Sequence, residues 1–407
     1  MRTEPERLRF EITARDGAAR TGTLHTAHGP VATPAFIPLA TRATVRSLES
    51  SEVEALGYEL VLGNTFHLLL APGPERIAAL GGLHEFMGWE RAIVTDSGGF
   101  QIFSLAHGTV ADEIKGRRGR RESDGRVLEI TEDGVRFRSY VDGTEHFLGP
   151  AESMSVQAAL GSDIALVLDE CTPYHADREY TARSTERTHR WLERCLEWHA
   201  RHGPQRQAVF GIVQGGVHED LRRASAEEVA AAAVDGLAIG GTLGRDKAEM
   251  YGVLDMTLPH LPAEAPKHLL GIGEPDDLIE GIRRGIDVFD CAVPTRLGRH
   301  GMALAPLPEQ RFRFDVRRGA YAEDTRPLVE GCPCRTCAEH TRAYLHYLSR
   351  AEELTGARLV TLHNLAYVER LVAGAREAIA AGAYGRYAEA VLGGRAPWEA
   401  RERIAAG

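Results

Sequence analysis

The sequence predicts an α/β fold, and within that class a (β/α)8 TIM barrel carrying an inserted structural zinc-binding subdomain. Three observations predict the barrel. Eight short apolar runs recur along the chain, helical patterns fill most of the gaps between them, and the runs end in glycine or a polar residue. Runs that are apolar almost throughout are the mark of strands buried on both faces, as in a parallel sheet covered by helices. Strands alternating with helices then build a barrel or an open doubly wound sheet. No GxGxxG or GxxxxGK turn follows any run, which disfavours the open sheet.

Taken in order, the predicted strands are residues 34–39 (PAFIPL), 59–62 (ELVL), 91–94 (RAIV), 163–168 (DIALVL), 208–213 (AVFGIV), 236–239 (GLAI), 268–272 (HLLGI) and 286–289 (IDVF). Helical periodicity fills 188–200, 225–233 and 275–285, and 364–381 supplies the eighth outer helix. The strand-end residues are Asn64, Asp96, Asp169 with Glu170, Gln214, Gly240 with Gly241, Gly271 with Gly273, and Asp290. In a barrel these ends ring one mouth, where active sites of the fold sit. One Asp after a strand is an ordinary helix cap. Three Asp and a Gln at four ends, with paired glycines at two more, point to a ligand site.

Lys and Arg number 48 against 58 Asp and Glu, a net charge of −10, so a polybasic surface that wraps nucleic acid is excluded. A polyanionic partner must meet a local basic patch. No apolar run approaches the ~18 residues of a membrane span, and the charged N-terminus lacks the apolar core of a signal peptide. A soluble, cytoplasmic protein with no membrane partner is expected.

Two stretches interrupt the barrel pattern. Residues 106–126 hold Lys115, Arg117, Arg118, Arg120, Arg121 and Arg126 in a Gly-rich segment without periodicity. It reads either as a solvated loop or as an arm that touches phosphates. The second interruption begins near residue 306. Residues 311–314 (RFRF) alternate as a strand with one basic and one aromatic face, and Cys332, Cys334 and Cys337 follow, with His363 26 positions after the last. C-x-C-x-x-C with a distant His offers a closed tetrahedral shell, hence one structural zinc per subunit. His340 and His346 compete for the fourth place, and an iron–sulfur cluster is the alternative, although it lacks a fourth nearby cysteine. The division expected is a barrel over 1–305, the zinc subdomain over 306–363, and the eighth helix with a C-terminal helical segment over 364–407.

Five motifs then resemble one family in its own order: TDSGGFQ at 95–101, GSDIALVLDECTPY at 161–174, GIVQG at 211–215, FDCAVPTRLGR at 289–299 and the CxCxxC…His set, with GNTFHLL at 63–69 similar too. The chain thus resembles the queuine/tRNA-guanine transglycosylase family, bacterial type, over roughly residues 8 to 390. The resemblance implies a homodimeric pentosyltransferase that exchanges guanine at position 34 of tRNAs with GUN anticodons for preQ1. It implies Asp290 as the nucleophile on ribose C1′ and Asp96 as general acid/base, the two carboxylates of a retaining double displacement. It places Asp169, Gln214, Gly240, Gly241, Phe100, Leu270, Gly271 and Cys171 around the base, and Arg296 and Arg299 on the RNA. Competing readings are a relative that uses queuine or another deazapurine, one acting on DNA, and a non-catalytic RNA-binding subunit; the presence of both Asp96 and Asp290 disfavours the last. One departure bears on the base. After Gly241 the family has a short loop with a glutamate that reads the incoming base, whereas Thr242-Leu243-Gly244-Arg245-Asp246-Lys247 is one residue shorter and lacks it.

Overall fold

The computed structural model describes residues 7–107, 126–241 and 244–405. The basic cluster from Lys115 to Arg121 lies outside the described residues, as do Thr242 and Leu243 of the altered loop.

Eight parallel strands form the barrel. Strand β1 runs over Ala35–Ile37 and resumes after Pro38 as Leu39–Ala40. The others are β2 Leu60–Gly63, β3 Ala92–Thr95, β4 Ile164–Leu166, β5 Ala208–Val213, β6 Gly236–Ile239, β7 Lys267–Leu269 and β8 Val288–Asp290. Each coincides with one of the eight apolar runs. The first half of β1 pairs with β8, Ala35 opposite Val288, and its second half with β2, Leu39 opposite Leu62, so the sheet closes on itself. Pro38 marks the changeover: it has no N–H to donate, but its carbonyl accepts from Leu62 N at 3.1 Å. Every residue of β2 to β6 is buried, which is why these strands read as unbroken apolar runs.

Two three-stranded antiparallel sheets and a two-stranded one, Met302–Leu304 with Arg313–Asp315, accompany the barrel. One three-stranded sheet, of Arg9–Asp16, Ala19–Thr26 and Gly29–Thr33, precedes it. The other, of Val127–Ile130, Val135–Arg138 and Glu145–Leu148, is inserted between β3 and β4. In Val135–Arg138 burial alternates with period two, Val135 and Phe137 inward and the arginines outward.

The 27-residue helix Leu354–Ala380 closes the structure. It starts ten residues before the predicted eighth helix and runs unbroken through residue 363, so the cysteine-bearing segment leads without a break into the barrel wall. It packs closely on helix Val293–Arg299, where a Cβ on Gly298 would stand 2.6 Å from Thr361 Cα. Asn364 joins the two helices to the Met302–Leu304 strand, donating to Pro294 O at 3.0 Å and Met302 O at 2.9 Å and accepting from Leu304 N at 2.7 Å. The strand expected at 311–314 begins later, as Arg313–Asp315, because Arg311 and Phe312 take left-handed φ of 56° and 57°. Its faces are as expected: Phe312 and Phe314 are buried, and Arg311 and Arg313 both reach Glu274. Among the described residues no helix is long and apolar enough to cross a membrane.

Candidate active site

The register of neighbouring parallel strands assembles the barrel mouth. Gly63 lies opposite Thr95, so the next residues on β2 and β3, Asn64 and Asp96, stand side by side. Asn64 caps helix Thr65–Leu70 by accepting from His67 N at 3.0 Å. Its Nδ2 donates to Asp96 Oδ2 at 2.5 Å, Thr65 N donates to Oδ1 at 2.8 Å, and Gln101 Nε2 donates to Oδ2 at 3.2 Å. Burial nevertheless pushes the Asp96 carboxyl up to about 7, and the nearby charge of Asp290 adds to the rise. The two carboxylates therefore lie close enough to feel each other. Gln101 Oε1 is buried without a partner, so this amide holds an acceptor in reserve.

Asp290 ends β8 and is buried. Its Oδ1 takes two donors, His268 Nε2 at 2.9 Å and Gly271 N at 3.2 Å, while Oδ2 takes none among the described residues. A second carboxylate cluster sits across the mouth. Asp169 Oδ1 accepts from Ser97 Oγ at 3.1 Å and Oδ2 from Gln214 Nε2 at 2.5 Å. Burial raises Asp169 to about 6 against those hydrogen bonds. Glu170 turns the other way, into a pair with Arg187 and the Tyr180 hydroxyl, each at 2.6 Å.

The Gly240-Gly241 turn lies against Gln214, since a Cβ on Gly241 would collide with Gln214 Oε1, and Leu270 stands beside Gly240. Gly240 N is committed to Val213 O, whereas the Gly241 N–H has no acceptor among the described residues. Arg222, fully buried, braces the turn by donating to Gly240 O at 3.0 Å and Val213 O at 3.2 Å. Burial lowers its guanidinium to about 10, against the influence of neighbouring Cys171. Phe100, on the first turn of helix Gly99–His107, is 43% exposed, an apolar ring offered to solvent two residues from Gly98 and three from Ser97.

Arg296 and Arg299 lie on the helix that follows β8, and Arg46 on the loop after β1 joins them. Burial, then the charges of Arg46 and Arg296, lower Arg299. None of the three makes a hydrogen bond or ion pair through its side chain among the described residues. They form a local basic patch in a chain of net charge −10.

Outside the mouth, the Sγ atoms of Cys332, Cys334 and Cys337 lie 3.7, 3.5 and 3.4 Å from His363 Nδ1. His363 Nε2 donates to Leu304 O at 2.8 Å, which turns Nδ1 toward the sulfurs. Bond lengths of about 2.3 Å to sulfur and 2.0–2.1 Å to nitrogen around a tetrahedral ion imply S–N edges of about 3.6 Å, so the four residues fit a metal ion. The rival histidines lie elsewhere: His346 bonds Val316 O, and His340 packs on Tyr344. Two other groupings need no ion. Asp163 already accepts from His28 N, His28 Nδ1 and Ile93 N, and Glu274, Asp276 and Asp277 share Lys247. A surface groove of about 370 Å³ beside Trp198 and Arg194 lies on the outer wall and includes no strand-end residue of the mouth.

A family model described as "Queuine tRNA-ribosyltransferase" matches residues 16–396. The chain belongs to the queuine tRNA-ribosyltransferase family. It is accordingly an enzyme of the transferase class. Relatives carrying that same name include one from Roseiflexus sp. (strain RS-1), 50% identical over 93% of this chain and 97% of the relative. Others are from Symbiobacterium thermophilum, 44% identical over 98% and 96%, and Moorella thermoacetica, 48% identical over 92% and 94%. Family motifs lead to Asp96, Asp169, Gln214 and Asp290. The carboxylates are held by His268, Asn64, Gln101 and Ser97, and Arg222 braces the turn beside Gln214. Ser97 and Gln101 lie within the TDSGGFQ motif and Asn64 among the polar strand ends, whereas His268, Arg222 and Arg46 lie outside any site reading of the sequence.

Proposed function

We propose that the chain exchanges guanine at position 34 of GUN-anticodon tRNAs for preQ1, by double displacement through a covalent bond between the tRNA and Asp290. One observation carries this reading: a carboxylate with one oxygen tied by two donors and the other open, paired electrostatically with a second carboxyl raised to about 7. That is the division of labour a retaining glycosyl transfer requires.

In the first half, Asp290 Oδ2 attacks C1′, the C1′–N9 bond breaks, and guanine departs with a proton delivered from Asp96. In the second half the incoming base loses its N9 proton to Asp96, the new N9–C1′ bond forms, and the ester to Asp290 opens. The phosphodiester backbone takes no part. Ionised Asp169 accepts from the N1–H and exocyclic amine of the purine, Gln214 and the Gly241 N–H serve the carbonyl edge, and Phe100 and Leu270 sandwich the base. Cys171, beside Arg222, and Gly271 complete the pocket. Extrusion of an anticodon-loop base costs little because it is only partly stacked.

Arg296, Arg299 and Arg46 meet the loop phosphates, which remove the repulsion among them. Each replaced by Ala is expected to raise KM for tRNA and to lower the slope of log KM against log salt by about 0.7, leaving KM for guanine unchanged. An unchanged slope in all three variants would remove them from the RNA contact.

The Cys332, Cys334, Cys337 and His363 set would hold one Zn²⁺ as a closed structural site with no position left for substrate. A homodimer fits the exposure of Tyr347 and Leu354, 65% and 83%, on the metal-bearing side. Equilibrium sedimentation checks it.

The pH dependence follows from the two raised carboxyls. Formation of the covalent complex needs protonated Asp96, so its rate falls as pH rises past about 7. KM for guanine rises below about pH 6, where Asp169 gains a proton. Because folded Asp96 holds its proton more tightly than the ordinary carboxyl at 3.8, its burial weakens the fold progressively as pH rises from there to about 7. Asp96→Asn is therefore expected to remove the alkaline fall in complex formation while raising the melting temperature at pH 8. An alkaline fall of the same midpoint in Asp96→Asn would assign it to another group.

The experiment that tests the function is incubation with unmodified GUN tRNA and labelled guanine, followed by competition between preQ1 and queuine. Incorporation blocked by preQ1 supports the reading. Incorporation blocked by queuine alone replaces the incoming base, and no incorporation overturns the function.

A further inference from the structure

We propose that His268 is the positioning residue of the nucleophile, a buried donor that fixes which oxygen of Asp290 faces the sugar and stabilises that carboxylate when it leaves. The inference deepens the proposed function and rests on Asp290 being the nucleophile. His268 lies within β7, on a strand face buried to 1% exposure, where an imidazole must be paired to be tolerated. Its Nε2 stands 2.9 Å from Asp290 Oδ1. An ionised carboxylate only accepts, so Nε2 carries the hydrogen. Gly271 N, 3.2 Å from the same oxygen, adds a second donor. Gly271 takes a left-handed φ of 75°, and a Cβ there would meet nothing, so the glycine serves the backbone turn that aims its N–H and leaves room above it. The strand register produces the contact: His268 lies opposite Val288 on β8, and Asp290 is the next residue of β8 on the same face.

Two donors on one oxygen leave the other as the attacking atom, with the carboxylate unable to rotate away. They also act on the second half of the reaction. There the C1′–Oδ2 bond breaks as the N9–C1′ bond forms, and the electron pair returns to the carboxylate. The His268 and Gly271 donors receive that charge in a buried site where such donors are strongest. His268 touches neither base nor ribose in this scheme, so its loss falls on turnover and spares tRNA binding.

The test compares His268→Gln with His268→Asn in guanine exchange, with Asp290→Asn measured alongside. The two amides share their chemistry and differ in reach: a Gln amide nitrogen takes the place of Nε2, while that of Asn stops short of Asp290. His268→Gln is expected to keep kcat within about threefold, and His268→Asn to lose about 10–100-fold in kcat, with KM for tRNA within about twofold in both. A melting temperature lowered equally in both variants leaves the difference in kcat between them as the readout. Equal kcat in the two, whether both high or both low, overturns the proposal, and so does a change confined to KM. The premise is checked separately. Exchange by Asp290→Asn removes the nucleophile assignment itself, whereas an inactive Asp290→Asn beside two equivalent variants at 268 removes only the positioning role.

Discussion

Asp290→Ala is expected to abolish guanine exchange and, with it, any tRNA–protein complex that survives denaturation. A nucleophile has no substitute in a double displacement, and losses on removing one run to about 10⁴–10⁶-fold in kcat. The effect belongs to chemistry and not to folding, for two reasons. Asp290 Oδ2 takes no donor among the described residues, and the donors to Oδ1 lie on a strand and a turn held by the barrel ladder. The melting temperature is therefore expected to fall by only a few degrees, through the unpaired His268 left behind. Binding of tRNA, carried by Arg46, Arg296 and Arg299 in this account, persists. A gel-shift with inactive protein and full-affinity tRNA separates the two steps. Exchange that continues in Asp290→Ala would mean that water or another side chain attacks C1′.

The second large effect concerns the Cys332, Cys334, Cys337 and His363 set. Chelation, or Cys334→Ala, is expected to destabilise the protein and not merely to slow it. A structural Zn²⁺ supplies about 10 kcal/mol or more to the segment that binds it, comparable with the whole stability of an ordinary domain. Here the segment from Met302–Leu304 to helix Arg342–Arg350 carries short elements, and His363 lies within the helix that packs on the barrel. Cys334 also caps helix Arg335–Glu339, accepting from Cys337 N at 3.4 Å. Loss of the ion leaves two buried thiols, a half-buried one and a buried imidazole facing one another. The melting temperature should drop by more than about 10 °C and recover on adding Zn²⁺. Unchanged melting after metal removal would contradict a structural role. Loss of activity at unchanged melting would point to a metal with a part in the reaction.

Much of the architecture was legible in the sequence, because burial on both faces leaves an unmistakable mark on a strand. Residues 208–213 and 236–239 coincide with β5 and β6 to the residue. The cysteine spacing and the strand-end aspartates were legible because each is a local pattern. Partnerships across the barrel were not. Asn64 and Asp96 are 32 positions apart, and only the Gly63–Thr95 register makes them neighbours. His268 sits inside an apolar run and reads as one more core residue until β7 is laid beside β8. Arg46 sits in a loop bent by left-handed Ala43 before it and Ser47 after it, a path no periodicity foretells. The sheet of 127–148 did carry a period-two signal at Val135 and Phe137, but it follows directly on the Gly- and Arg-rich stretch that hides its start. The start of helix Leu354–Ala380 is hidden in the sequence because its first ten residues lead straight on from the cysteine-bearing segment. His363 serves both, facing the three cysteines from within a barrel helix.

In the proposed exchange the ribose passes through a bond to Asp290 while Asp96 moves the proton. Mass-spectrometric mapping of the enzyme, quenched during turnover with GUN tRNA and then digested with nuclease and protease, locates that bond. A single nucleotide-bearing peptide with the adduct on Asp290 is expected. An adduct on Asp96, or none while exchange proceeds, contradicts it.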